Sequence, residues 1–374
     1  MQLTTWIPLR YWRYRSGEFG DSSLVLSWSD CYKEIGLEVY NINNGSCSGY
    51  IYGRPLLAIL SRSGLDATNA EFFGYVFMLL ISVSLGFILK NLMFVQKTFV
   101  AILIFASPPL MLLIERANFD SIMFILILIS ALTFYKGYEN ISLFPLVLAS
   151  VIKFYTFPIF LLYFFFSRNL KNKIFLLIFA LISGTSIYLD LSRIKSPVPR
   201  SGQRMFGMSI WGRYLEQRVP NYVLSENLNH LIGLIIFVIF IIIFLKYKKI
   251  NLLLNNSNSI PDSAYKFCFM IFFTVHLSCF CLGMSHDYRL IYLLFTTMFF
   301  LSTINTSLNL SRINIWLTLV ILFLWLSYPS DGLQPVGDII IEVVTIFFGV
   351  TFIRFCKDYK NFPLKPIKHS TLNK

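Results

Sequence analysis

The sequence predicts an all-α polytopic integral membrane protein with about eleven membrane segments. Three observations carry that prediction. Of 374 residues, 56% are hydrophobic and only 14% are charged, whereas an average soluble domain carries about 25% charged residues. The apolar residues fall in long blocks, and one bilayer span needs about 20 of them. No block shows the period-two alternation of an outer-membrane barrel strand. Together these exclude a soluble globular enzyme and a disordered chain. The net charge of +13 would suggest nucleic acid in a soluble protein. In a membrane protein it reads first as orientation, and no nucleic-acid partner is expected.

The chain divides into three parts. Residues 1–71 are polar, aromatic and turn-rich, without the apolar h-region of a signal peptide. They are expected to form an extracytoplasmic loop. Residues 72–355 hold the apolar blocks: Phe72–Leu89, Thr98–Ile114, Ser121–Tyr135, Leu143–Ile152, Thr156–Phe166, Ile174–Leu189, Asn229–Leu245, Tyr265–Gly283, Leu290–Ser302, Ile313–Ser327 and Asp338–Phe355. The fourth and fifth are short and flank Lys153 and Pro158, which predicts broken or tilted helices. A second extracytoplasmic loop is expected at 190–228, and a cytoplasmic tail at 356–374.

Orientation follows from the basic connectors Lys90 to Lys97, Arg168 to Lys173 and Lys246 to Lys249, together with the tail, which fall on one side if every block spans. That side should be the cytoplasm. With this assignment fourteen of seventeen lysines lie inside, while twelve of fifteen arginines lie outside or at the outer boundary. Lysine suffices to orient a chain. Arginine gathered on the other face suits planar, bidentate recognition of phosphate or carboxylate. Cys31 and Cys47, in the outside segment, are a candidate disulfide, whereas Cys268, Cys279 and Cys281 read as small membrane-buried residues. No C-x-x-C pair is present, so no zinc or haem site is expected; no cofactor is expected, and the sequence does not give the metal requirement.

Charged groups at or in a membrane are costly and mark candidate sites. The first cluster runs from Trp28-Ser29-Asp30-Cys31-Tyr32 through Tyr40 to Tyr50-Ile51-Tyr52-Gly53-Arg54-Pro55. The second is Glu115-Arg116-Ala117-Asn118-Phe119-Asp120, four polar groups that cannot share lipid. Here Asp120 either faces a cavity or caps the next helix. The third is Lys153-Phe154-Tyr155, where the lysine either snorkels to headgroups or meets a lipid phosphate. The fourth, His286-Asp287-Tyr288-Arg289, combines groups suited to proton handling and phosphate binding. There is no Walker A sequence, no G-x-S-x-G elbow, no H-E-x-x-H and no visible inverted repeat. An ATP-driven pump is therefore disfavoured, and a secondary transporter is weakened.

In this order the motifs resemble the GT-C-type membrane glycosyltransferases that use polyprenyl-phosphate sugars, and within them glycosyltransferase family 87. The resemblance spans nearly the whole chain on short motifs. It departs from the family pattern at Ala117, where glycine is expected, and at Thr156, where proline often follows. It implies a GT-C-like fold with one further helix before residue 1, so that the chain given lacks its first transmembrane helix. It also implies an acid near the start of the first loop that acts as base. By position that acid is Asp30, with Asp21 the second candidate. Donor phosphate would be held by Arg289, Arg54, His286 and Lys153, and the acceptor oriented by Asn118, Asp120, Arg116 and Asp287.

The implied reaction moves mannose or another hexose, with inversion, from polyprenyl phosphate to a glycolipid or polysaccharide acceptor. It would run on the outer face of a bacterial inner or plasma membrane. An O-antigen-type polymerase or ligase and a lipid-linked sugar flippase are the competing expectations.

Overall fold

In a bilayer, backbone groups must be satisfied within the protein, which favours helices, and helices dominate the computed structural model. The structure describes residues 19–41, 50–90, 107–167, 169–194, 205–206, 226–246, 264–281, 285–304 and 334–359, with positions 47, 98, 101 and 104. Ile313–Ser327, six positions of Thr98–Ile114 and most of the arginine-rich loop at 190–228 lie outside the described residues.

Helix α1 (Gly20–Ile35) carries Asp21 in its first turn and stops at Gly36 with φ +59°. A 3-10 turn, Gly36–Tyr40, follows. The Cys31–Cys47 disulfide is formed and ties this region to the segment entering α2 (Arg54–Ser63). Pro55 sits in the first turn of α2, where its missing N–H costs nothing. Asp66 and Asn69 then form a reciprocal capping box ahead of α3 (Ala70–Leu89). Helix α3 buries Ala70, Gly74, Phe77, Ile81 and Leu85 at helical spacing, and turns Phe72, Tyr75, Leu79 and Val83 outward. An apolar outward face of this kind suits lipid.

The next elements are α4 (Pro108–Glu115), α5 (Asp120–Tyr135) and α6 (Glu139–Ile152). The α4–α5 pair bends by 114° at the Arg116–Phe119 break. Helix α6 ends at Lys153, whose backbone is extended. A 3-10 turn, Phe154–Thr156, leads to α7 (Ile159–Phe166). Then come α8 (Leu170–Leu191), α9 (Glu226–Lys246), α10 (Ala264–Cys281), α11 (Ile291–Ile304) and α12 (Gln334–Tyr359). Among the described residues the only strand pairing is a two-residue antiparallel ladder, β1 (Met205–Phe206) with β2 (Ser285–His286).

Helix α5 packs on α6 and α10, and α10 on α11 and α12. Aromatic rings fill these seams. Phe124 stacks on Phe295 at 3.8 Å between centroids and Phe134 on Tyr163 at 4.0 Å, contacts that add to plain area burial. Among the described residues, three helical stretches are long and apolar enough to cross a membrane, Ala67–Leu89, Leu170–Leu191 and Ala264–Cys281, and the bent pair makes a fourth if taken as one span. This is consistent with a membrane protein. The fourth and fifth apolar blocks of the sequence correspond to the shorter helices α6 and α7.

Candidate active site

The site is built where two helix breaks meet the start of α1. At the first break, Ala117 takes φ +45°, a left-handed conformation that favours glycine. This turn presents carbonyls to α1. Phe19 N–H donates to Glu115 O (2.8 Å), Asp21 N–H to Arg116 O (3.1 Å) and Ser22 Oγ to Ala117 O (2.5 Å). Asp21 is thereby held against the turn. Its carboxylate accepts from Arg116 Nε at 2.8 Å, from a second Arg116 nitrogen, and from Asn118 Nδ2 at 2.5 Å.

Asn118 joins this pair to a second carboxylate. Its Oδ1 accepts from the Asp120 N–H (2.8 Å) and from Lys153 Nζ (3.2 Å). Lys153 Nζ also ion-pairs with Asp120 Oδ1 at 2.6 Å. The Tyr155 hydroxyl donates to the same oxygen and lies 3.0 Å from the Tyr292 hydroxyl. Arg289 Nε stands 3.8 Å from Asp120 Oδ2, and its guanidinium lies over the Tyr155 ring at 5.2 Å. Asp120, Asn118 and Lys153 are 0%, 1% and 2% exposed. Buried charges on this scale persist only when paired and hydrogen-bonded, and this network supplies both.

The aromatic-Gly-Arg-Pro segment closes over the lysine. The Tyr52 ring lies 4.5 Å from Lys153 Nζ. Burial, with the Asp21 and Asp120 carboxylates adding to it, holds the Tyr52 phenol well above its ordinary pKa, so it stays protonated. Gly53 N–H donates to Ile152 O at 3.1 Å. A Cβ on Gly53 would stand 1.6 Å from Val151 O, so only glycine permits this approach to the end of α6. Asp190, at the end of α8, accepts the Arg54 N–H at 2.9 Å and so satisfies a helix-start donor of α2.

Beside the cluster lies an apolar cavity of about 940 Å³, walled in part by Tyr155, Phe157, Leu161, Tyr188, Leu277 and Phe352. Tyr155 belongs to both, with its ring on the cavity and its hydroxyl on Asp120. Tyr155 is the link between the two: Lys153, Asp120 and Arg289 lie behind it and do not line the cavity. Among the described residues no three His, Cys, Asp or Glu side chains converge as a metal cage.

The sequence-selected residues distribute unevenly. Arg116, Asn118, Asp120, Lys153 and Arg289 come together. Asp30 does not join them: it is 40% exposed on α1 and pairs with Lys33 one turn on, at 2.7 Å. Arg54 opens α2 with an exposed side chain. The backbone of His286 lies in β2 and that of Asp287 in the following 3-10 turn, while their side chains lie outside the described residues. Asp21, the second candidate for the base, sits inside the network. Tyr52, Tyr155, Tyr292 and Asp190 also take part. Tyr52 and Tyr155 were within quoted motifs, but Tyr292 and Asp190 sit in apolar runs with no local signal. Comparison with family models, curated proteins and solved structures finds no match to this chain.

Proposed function

We propose that the chain is an integral membrane glycosyltransferase of GT-C-like architecture, with about eleven membrane segments. In this reading it moves a hexose such as mannose from polyprenyl phosphate to a hydroxyl acceptor on a glycolipid or polysaccharide, at the outer face of a bacterial plasma membrane. One observation carries the reading: two cations, Lys153 and Arg289, converge on a buried carboxylate that Tyr155 joins to an apolar cavity of about 940 Å³. That pairing of chemistries fits a lipid-linked phosphate.

In the reaction the acceptor oxygen attacks the anomeric carbon and the bond from that carbon to the phosphate oxygen breaks. The electron pair stays on the phosphate, whose charge Lys153 and Arg289 stabilise. The acceptor's proton goes to a carboxylate. Asp21 is the proposed base: its carboxylate is paired with Arg116 and Asn118 yet is 12% exposed, whereas Asp120 is fully buried. Asn118 links it to the Lys153–Asp120 pair. Asp30 is the alternative base favoured by sequence position.

Membranes carrying the chain should be incubated with a panel of radiolabelled polyprenyl-phosphate sugars. Label should pass from one of them into a product that no longer carries the donor lipid. Membranes that hold the intact chain and transfer from no member of the panel would overturn the reading, and sugar movement across vesicles without bond formation would replace it with a flippase.

A further inference from the structure

Tyrosines stand on two sides of the Lys153–Asp120 pair, and they are held differently. Tyr155, on the cavity side, is locked: its hydroxyl donates to Asp120 and lies 3.0 Å from that of Tyr292. On the other side the Tyr52 ring lies 4.5 Å from Lys153 Nζ. Tyr52 is half-buried, whereas the lysine beneath it is buried. The hydroxyls next to Tyr52 are tied, Tyr40 donating to Tyr52 O at 3.1 Å and Tyr50 to Gly53 O at 3.0 Å. The Tyr52 hydroxyl makes no hydrogen bond among the described residues. Its ring is held by the lysine and by edge contacts to Trp28 and Tyr50, at 6.4 and 5.6 Å between centroids. The backbone that carries it is pinned at three points: Tyr40 donates to Tyr52 O, Gly53 N–H donates to Ile152 O, and Arg54 N–H donates to Asp190.

We infer that the Tyr52 side chain is a gate, which turns on a fixed backbone off Lys153 and opens the buried lysine to an anion. Turning Tyr52 breaks no hydrogen bond among the described residues, whereas turning Tyr155 gives up both of its own. Closure is held by the contact between ring and ammonium, which in a desolvated setting favours the closed state by about tenfold or more. The gate also supplies room. A phosphate group is smaller than a phenol, so the space that the ring vacates in front of Nζ can receive one, and the cavity behind Tyr155 need not open. The gate stands on this geometry alone; that a phosphate passes it rests on the reading above.

The test acetylates the native lysines of the full chain in lipid nanodiscs with a water-soluble N-hydroxysuccinimide ester and follows each by peptide mass spectrometry. Tyr52→Ala should speed modification of Lys153 by about tenfold or more, and leave Lys266, also buried, at the start of α10, unchanged. Tyr52→Phe keeps the ring and should match the unaltered chain. An unchanged Lys153 rate in Tyr52→Ala, or a Tyr52→Phe chain as fast as Tyr52→Ala, would overturn the inference. If Tyr52→Ala fails to fold or speeds Lys266 as well, the unaltered chain decides. Well below its melting midpoint Lys153 should react faster than Lys266, because turning one side chain takes less free energy than opening the bundle, and equal or slower reaction would overturn the gate. Farnesyl phosphate should slow modification of Lys153 in every chain that folds. If it slowed none, the phosphate reading would fall while the gate stood.

Discussion

The two ends of α1 hold two aspartates in opposite circumstances. Asp30 faces solvent and meets Lys33 on its own helix, one turn away. An exposed pair of this kind contributes at most a few tenths of a kcal/mol. Asp21 meets Arg116 and Asn118, which come from a distant turn, and through Asn118 it reaches Lys153. Local pairing leaves a side chain free to move. Pairing across the fold fixes its position relative to other reacting groups, which is what a site requires.

The largest disturbance of this contrast should come from Lys153→Met. It removes the nearest cation from the buried Asp120, and breaking a buried pair by removing one partner costs about 3–5 kcal/mol. The variant should lose most of its thermal stability in detergent as well as donor binding. Full stability would mean that Asp120 is not charged-paired as described. Breaking the disulfide by Cys31→Ser should cost about 3 kcal/mol in the chain-entropy model for a loop of this size. The same loss should follow reduction of the unaltered chain, and a melting midpoint indifferent to reductant would contradict it.

Gly53→Ala should cost about 1–3 kcal/mol, typical of overpacking, because its Cβ would collide with Val151 O. The loss should be read as a lower melting midpoint in detergent than that of the unaltered chain, and an unchanged midpoint would contradict it. The smallest effect should be Ala117→Gly. Relief of the left-handed backbone at φ +45° offsets the entropy that glycine loses, leaving a change under about 1 kcal/mol on the stabilising side. A marked loss would show that the methyl group matters more than the backbone.

Much of the site was legible in the sequence because membrane proteins concentrate their rare charges where they are used. Glu115 to Asp120, Lys153 and Arg289 stand out against apolar surroundings. The break around Lys153 was legible too, since Pro158 and a lysine interrupt an apolar run. The rest needed three dimensions. Asp21 and Asp30 look alike in one dimension, and the motif context around Trp28 favoured Asp30. Only the docking of Phe19, Asp21 and Ser22 onto the Glu115–Ala117 carbonyls separates them. Tyr292 and Asp190 make contacts with residues 137 and 136 positions away, and an apolar stretch carries no mark of such a partner.

The most direct measurement compares sugar transfer by Asp21→Asn and Asp30→Asn in matched membranes at saturating donor. Asparagine keeps the size and one acceptor oxygen of the carboxylate but cannot take the proton. General-base contributions are typically about 10²–10⁴-fold. Asp21→Asn should lower turnover by that range with donor binding kept, while Asp30→Asn should stay within about twofold of the unaltered chain, as expected for an exposed surface pair. The reverse result, near-normal transfer by Asp21→Asn beside a collapse in Asp30→Asn, would contradict the assignment of the chemistry to the buried network.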